Sequence, residues 1–162
     1  MADLEGARGV VVEAPRGTLN GRVDEKGRLK LPATVTQYLE SIGERKLFVT
    51  TLNITTALIY PMSTWRDAEK VLEEPGEDAE DRADLAMVAN HYGEEAEVDG
   101  QGRVLIPTTL RRELGFEKDD VHLLFYKGRI EVFGSKVYEQ RLAKAKANLA
   151  EKYSALEKKG LR

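Results

Sequence analysis

Short apolar runs bounded by turn residues dominate the chain, and helical periodicity is confined to brief stretches between them. Strands are predicted over 19–23 and 95–98, each running into an aspartate. Short strands follow over 29–31 and 104–106, ended by Pro32 and Pro107, which lack the N–H a sheet ladder uses. In the first of these, Leu29-Lys30-Leu31, apolar and polar residues alternate; in the second, Val104-Leu105-Ile106, they do not, which predicts a strand buried on both faces. Proline followed by an apolar-periodic segment then predicts helices over 33–41 and 108–114, stopped near Gly43 and Gly115. Each is followed by a hairpin: strands over 46–50 and 57–60 with a turn near Asn53, and strands over 121–126 and 129–133 turned by Lys127-Gly128. Ser63 and Ser135 are candidate caps for the helices after the hairpins. The last of these carries an apolar stripe of Tyr138, Leu142, Ala145 and Leu149. A further helix is predicted over 81–91, after an acidic, turn-rich linker.

These elements repeat. Val23-Asp24-Glu25-Lys26-Gly27-Arg28-Leu29-Lys30-Leu31-Pro32 recurs 75 positions later as Val98-Asp99-Gly100-Gln101-Gly102-Arg103-Val104-Leu105-Ile106-Pro107. Valine, aspartate, glycine, arginine and proline coincide at fixed offsets, the signature of a duplicated unit and of two halves related by an approximate two-fold axis. Gly27 and Gly102 stand where the chain must reverse tightly. The predicted organisation is an N-terminal extension over 1–14, a first half over 15–74, an acidic linker and helix over 75–92, a second half over 93–134 and a C-terminal helix over 135–162. Halves this small cannot each bury a sizeable core and should fuse into one barrel-like sheet.

The net charge of −3 over 162 residues is unevenly distributed. Residues 15–37 carry five bases against two acids, residues 66–99 three bases against thirteen acids, and residues 136–162 eight bases against three acids. Such polarity can present one face to DNA and keep another solvated, but charge alone favours the simpler reading of an ordinary solvated surface. No stretch approaches the roughly 20 apolar residues of a membrane span, and the first residues do not have a leader's basic start and apolar core. A cytoplasmic protein without membrane contact is expected. The absence of cysteine excludes disulfides and thiolate chemistry. His91 and His122 have no partners at metal-ligand spacing, and there is no phosphate-binding loop, nucleophile elbow or dinucleotide fingerprint. No enzyme activity, metal or cofactor is expected, and His122, Trp65, Phe125, Phe133 and Tyr138 are read as packed residues.

The two Asp-x-x-x-Arg elements, each followed by a strand and proline, resemble those of the MraZ family, duplicated relatives of the AbrB and MazE regulators and antitoxins. The resemblance runs from about Arg16 to Tyr138. It takes in Arg16-Gly17, then Asp24 to Arg28 with Pro32, then Asp99 to Arg103 with Ile106-Pro107 and Leu110-Arg111. It implies a mainly β protein with short helices: a double-split β-barrel of two swapped-hairpin, AbrB-like halves, plus a C-terminal helix. It also implies assembly into a ring-like homo-oligomer, association with the nucleoid, and transcriptional control of the bacterial division and cell-wall gene cluster, including its own promoter. Carried over by analogy, Asp24, Arg28, Asp99 and Arg103 are the motif pairs, with the arginines facing DNA. The chain departs from the family in its extra N-terminal residues, in its second hairpin, and in having Thr36-Gln37 where the first post-proline helix usually carries arginine.

The chemistry suits that role. A guanidinium is planar, permanently charged and able to bond phosphate or a guanine edge through two N–H groups at once. A carboxylate four residues earlier can pin the turn by accepting backbone N–H bonds, and Asp24 and Asp99 are read that way, with Gly27 and Gly102 completing the turns. Lys26, Lys30, Arg16 and Arg22 are candidate phosphate contacts or solvated surface charges, and so are Arg111 and Arg112 in the second post-proline helix. One subunit neutralises few phosphates, so tight binding to double-stranded DNA with repeated promoter boxes would depend on avidity across a ring. The alternative is a ring-forming or antitoxin-like protein-interaction module without direct DNA binding.

Overall fold

The computed structural model describes residues 12–117 and 119–162, so the predicted N-terminal extension lies largely outside it. In chain order the elements are β1 (Thr18–Arg22), β2 (Arg28–Lys30), α1 (Ala33–Ser41), β3 (Lys46–Thr50), β4 (Ala57–Pro61), α2 (Met62–Glu73) and α3 (Ala79–Tyr92). There follow β5 (Glu94–Glu97), β6 (Arg103–Leu105), α4 (Thr108–Leu114), β7 (Asp120–Tyr126), β8 (Arg129–Gly134), α5 (Ser135–Lys146) and α6 (Leu149–Glu157). The helices are as prominent as the strands, so the fold is mixed sheet and helix, not mainly β.

Six strands form one antiparallel sheet in the order β1-β7-β8-β4-β3-β5. Exchanging each strand for its counterpart in the other repeat reverses this order and leaves it unchanged. The first strand of each repeat pairs with the hairpin of the other: β1 with β7, and β5 with β3. Among the described residues the order ends at β1 and β5, so their strand pairing does not close the sheet into a barrel. The remaining strands, β2 and β6, form a separate two-stranded antiparallel ribbon.

The ribbon is tied to the rest by its inner face. Leu29 and Val104 lie opposite each other at its centre and are fully buried. They join Leu31, Val35 and Leu39 of the first repeat and Ile106, Leu110 and Val121 of the second in one apolar cluster. A second cluster lies where α2 and α3 pack on the sheet, centred on Trp65, which stacks on Phe48 at 4.6 Å and leans on Tyr60 at 4.9 Å. Phe133 is buried, and His122 stacks on Tyr138 at 3.9 Å, which docks α5 on β7. Lys127 and Gly128 make the two-residue turn of the second hairpin, both at positive φ as that turn class requires.

Three local expectations are corrected. Leu105 is 49% exposed, so β6 alternates in burial as β2 does; its outer face meets solvent although the residue there is apolar. Ser63 does not cap α2, which starts one residue earlier behind Pro61, and Ser135 is the first residue of α5, its hydroxyl donating to the Asp120 carbonyl at 3.1 Å. The C-terminal segment is two helices, because Asn148 adopts a left-handed conformation (φ 54°) that asparagine tolerates better than most residues.

Candidate nucleic-acid interface

Each repeat motif folds into the same turn. In the first, the Asp24 amide donates to the Arg28 carbonyl at 2.9 Å and the Gly27 amide to the Asp24 carbonyl at 3.0 Å. In the second, Asp99, Arg103 and Gly102 make the corresponding bonds at 2.9 and 3.0 Å. The glycines have φ of 84° and 76°, the left-handed position of a three-residue hairpin loop. Each aspartate holds its turn from inside. Asp24 Oδ1 accepts the amides of Lys26 and Arg28, and Asp99 Oδ1 those of Gln101 and Arg103, all at 2.9 Å. Oδ2 accepts the arginine Nε at 2.9 Å in both turns.

The turns also hold each other. The Gly27 carbonyl accepts the Ile106 amide at 2.8 Å, and the Gly102 carbonyl accepts the Leu31 amide at 2.9 Å. These two bonds extend the ribbon ladder at either end. Since alternate residues face opposite sides of a strand, burial of Leu29 and Val104 turns Arg28, Lys30, Arg103 and Leu105 to the outer face. Lys30 lies opposite Arg103, and Arg28 opposite Leu105. The outer face therefore carries three cations and one leucine, with the arginines in symmetry-related places. Their side chains are 31% and 25% exposed. A guanidinium has five N–H donors, so one bond to aspartate leaves others for a further acceptor.

The arginine amides hold the Asp24 and Asp99 carboxyls below the ordinary aspartate range against an opposing cost of burial, with further help from the arginine side chains and the amides of Lys26 and Gln101. Because the folded pKa values are lowered, this stabilisation is fully present above the unfolded value of about 3.9 and is lost as pH falls through the folded values. The turns should thus be indifferent to pH across the neutral range and loosen only in acid. Carboxyl titration by NMR should give midpoints for Asp24 and Asp99 below about 3.9; a midpoint at or above that value would contradict the pinning role.

The other predicted residues are less uniform. Lys26 is exposed at the tip of the first turn; its counterpart in the second is Gln101. Arg22 ends β1 just before the first turn, exposed and 3.9 Å from Asp120. Arg16 precedes β1, at the far end of that strand from the turn, and pairs with Glu13 at 2.9 Å. Lys30 has turned its ammonium onto the Gln101 carbonyl of the second turn. Arg111, read from sequence as a further candidate phosphate contact, is instead a structural buttress. Its guanidinium covers Gly27, held by the Ile106 carbonyl at 3.0 Å and the Thr108 hydroxyl at 2.9 Å.

A methyl group on Gly27 would run into the Arg111 guanidinium, whereas the nearest atoms to one on Gly102 would be the Lys30 Nζ at 3.3 Å and the Thr36 methyl at 3.6 Å. Both substitutions force an L-residue into the left-handed region, at a cost of about 1–2 kcal/mol. Gly27→Ala should lower the melting temperature more than Gly102→Ala; equal shifts in thermal denaturation would mean that Arg111 yields freely.

Comparison with known proteins agrees with the motifs. The family model for the MraZ protein matches residues 92–159. The transcriptional regulator MraZ of Acidobacterium capsulatum is 35% identical over 128 residues, covering 78% of this chain and 86% of that protein. Its namesake in Koribacter versatilis is 41% identical over 97 residues, 59% of this chain and 66% of the relative. A third, from Nitrosococcus oceani, is 31% identical over 141 residues, 84% and 91% of the two chains. With duplicated Asp-x-x-Gly-Arg turns on one ribbon and relatives matched over most of their length, this chain belongs to the MraZ family.

Proposed function

We propose that this protein is a sequence-specific DNA-binding transcriptional regulator and that the β2–β6 ribbon is its reading element. The observation that carries this is the ribbon's outer face, where Arg28, Lys30 and Arg103 stand over a buried Leu29–Val104 pair. The major groove of B-DNA admits a two-stranded β-ribbon, and arginine is the side chain best suited to the guanine edge. Lys26 and Arg22 lie at the first turn, where they would meet phosphates and set the register. Arg16, at the other end of β1, would reach DNA only beyond the ribbon's footprint. The relatives' name, transcriptional regulator MraZ, supports the same reading.

The crosswise pairing of β1 with β7 and β5 with β3, together with the separate ribbon, supports a double-split barrel of two swapped-hairpin halves, bounded as the sequence predicts. Assembly into a homo-oligomeric ring is supported by exposed Leu149, Tyr153 and Leu156 on α6, within a basic segment, and exposed Val71, Leu85 and Met87 on the acidic α2–α3 pair. Repeated binding units would then engage repeated promoter boxes, with avidity raising affinity by roughly 10²–10⁴. The targets proposed are the division and cell-wall genes and the protein's own promoter, reached in the cytoplasm at the nucleoid. Among the described residues no helix is long and apolar enough to cross a membrane. The apolar face of α6 is what favours the second reading, a protein-interaction module that does not touch DNA.

A salt titration with a labelled duplex from upstream of the gene separates the two. Preference over a scrambled duplex, with affinity falling steeply with salt, is expected of the regulator. Equal binding to both duplexes, or none, would favour the interaction module.

A further inference from the structure

The two turns are buttressed by different residues, and the difference is reciprocal. At the first turn the cation comes from a helix: Arg111 of α4 covers Gly27. The repeat counterpart of Arg111 is Thr36, and that of Thr108, which helps hold the guanidinium, is Ala33. Neither can bring a charge to the second turn, which Thr36 touches only with its methyl, 3.6 Å from where a Gly102 Cβ would lie. The Thr36 hydroxyl is spent on the Ala33 carbonyl of its own helix, at 3.0 Å. A groove of about 770 Å³ is left between α1 and the second turn, with Thr36, Gln101 and Gly102 in its wall. Lys30 leans into it. Its ammonium donates to the Gln101 carbonyl and stands 3.3 Å from where a Gly102 Cβ would lie, the nearest atom to that point. The repeat counterpart of Lys30 is Leu105, which has no charge to offer the first turn. So one turn has a helix arginine and a strand leucine, and the other a helix threonine and a strand lysine.

We infer that Lys30 is a positioning residue for the second turn, supplying from the strand the cation that Thr36 cannot supply from the helix, and that it is not primarily a phosphate contact. Its ammonium fixes the Gln101–Gly102 segment and, through it, the place of Arg103. The consequence for DNA rests on the proposed reading of the ribbon; the buttress itself does not.

The test is therefore made first without DNA. In the full-length protein, amide exchange would be followed at both turns in wild type, Lys30→Met and Lys30→Met/Thr36→Arg. Lys30→Met should speed exchange at Gln101, Gly102 and Arg103 by several-fold and leave Lys26, Gly27 and Arg28 unchanged. Adding Thr36→Arg should restore protection, since the Leu31 carbonyl offers the new guanidinium what Ile106 offers Arg111. Unchanged exchange at the second turn, equal loss at both turns, or loss that Thr36→Arg does not restore would each overturn the assignment. With duplex present, a positioning role predicts weaker binding at an unchanged salt slope. A slope shallower by about 0.9 with the turn still protected would make Lys30 a phosphate ligand instead. If no duplex binds at all, the regulator reading fails while the exchange result still decides the role of Lys30.

Discussion

Arg28→Ala and Arg103→Ala should each weaken binding to the cognate duplex by about 1–3 kcal/mol, roughly 5- to 150-fold, while the protein stays folded. Folding should survive because each aspartate keeps its two backbone N–H bonds when the guanidinium is removed. Binding should suffer twice: the donor is lost, and the aspartate that paired with it is left as a bare negative charge close to phosphate. Arg28→Lys divides the contribution further. It keeps the charge, and so most of the salt slope, but not the planar fork that reads a base edge. Discrimination against scrambled DNA should fall with little change in slope. Titration of the three variants by fluorescence anisotropy checks this, and variants that bind as wild type would remove the ribbon from the interface.

The largest effect on stability is expected at Trp65. This side chain is only 3% exposed and sits between Phe48 and Tyr60, where α2 meets the sheet. Trp65→Ala leaves a cavity that Met62, Leu58 and Ala89 of the same cluster cannot fill without moving α2 or α3. A loss of about 3–5 kcal/mol is expected, or roughly 6–20 °C in melting temperature for a chain of this size. Because this cluster is separate from the one beneath the ribbon, duplex affinity well below the melting point should change little. Thermal unfolding followed by circular dichroism tests the first expectation; a shift under 2 °C would mean that the site collapses around the missing ring.

What could be read in advance was local. Asp24, Gly27 and Arg28 lie within five consecutive residues and make a turn by bonding one another, so the repeat of that pattern was enough to foresee both turns. Pro32 and Pro107 marked the starts of α1 and α4 for the same reason: proline at that point needs no partner from elsewhere. Leu105 was misplaced because exposure depends on which neighbour covers a strand, and the sequence of β6 does not say that Leu29 and Val104 face inward together. The strand order was out of reach on similar grounds, since β1 finds its partner about a hundred residues away. The roles of Lys30 and Arg111 needed both turns in view. Thr36 was visibly unlike Arg111, but only the structure set Lys30 against the place the arginine had left empty.

The claim that the ribbon reads DNA is tested most directly by hydrogen exchange of the whole chain with and without its own upstream duplex. Protection concentrated in residues 24–31 and 99–106, absent with scrambled DNA and reduced in Arg28→Ala/Arg103→Ala, is the predicted result. Protection confined to α5 and α6, with both turns unchanged, would contradict it and place the contact on the basic C-terminal helices.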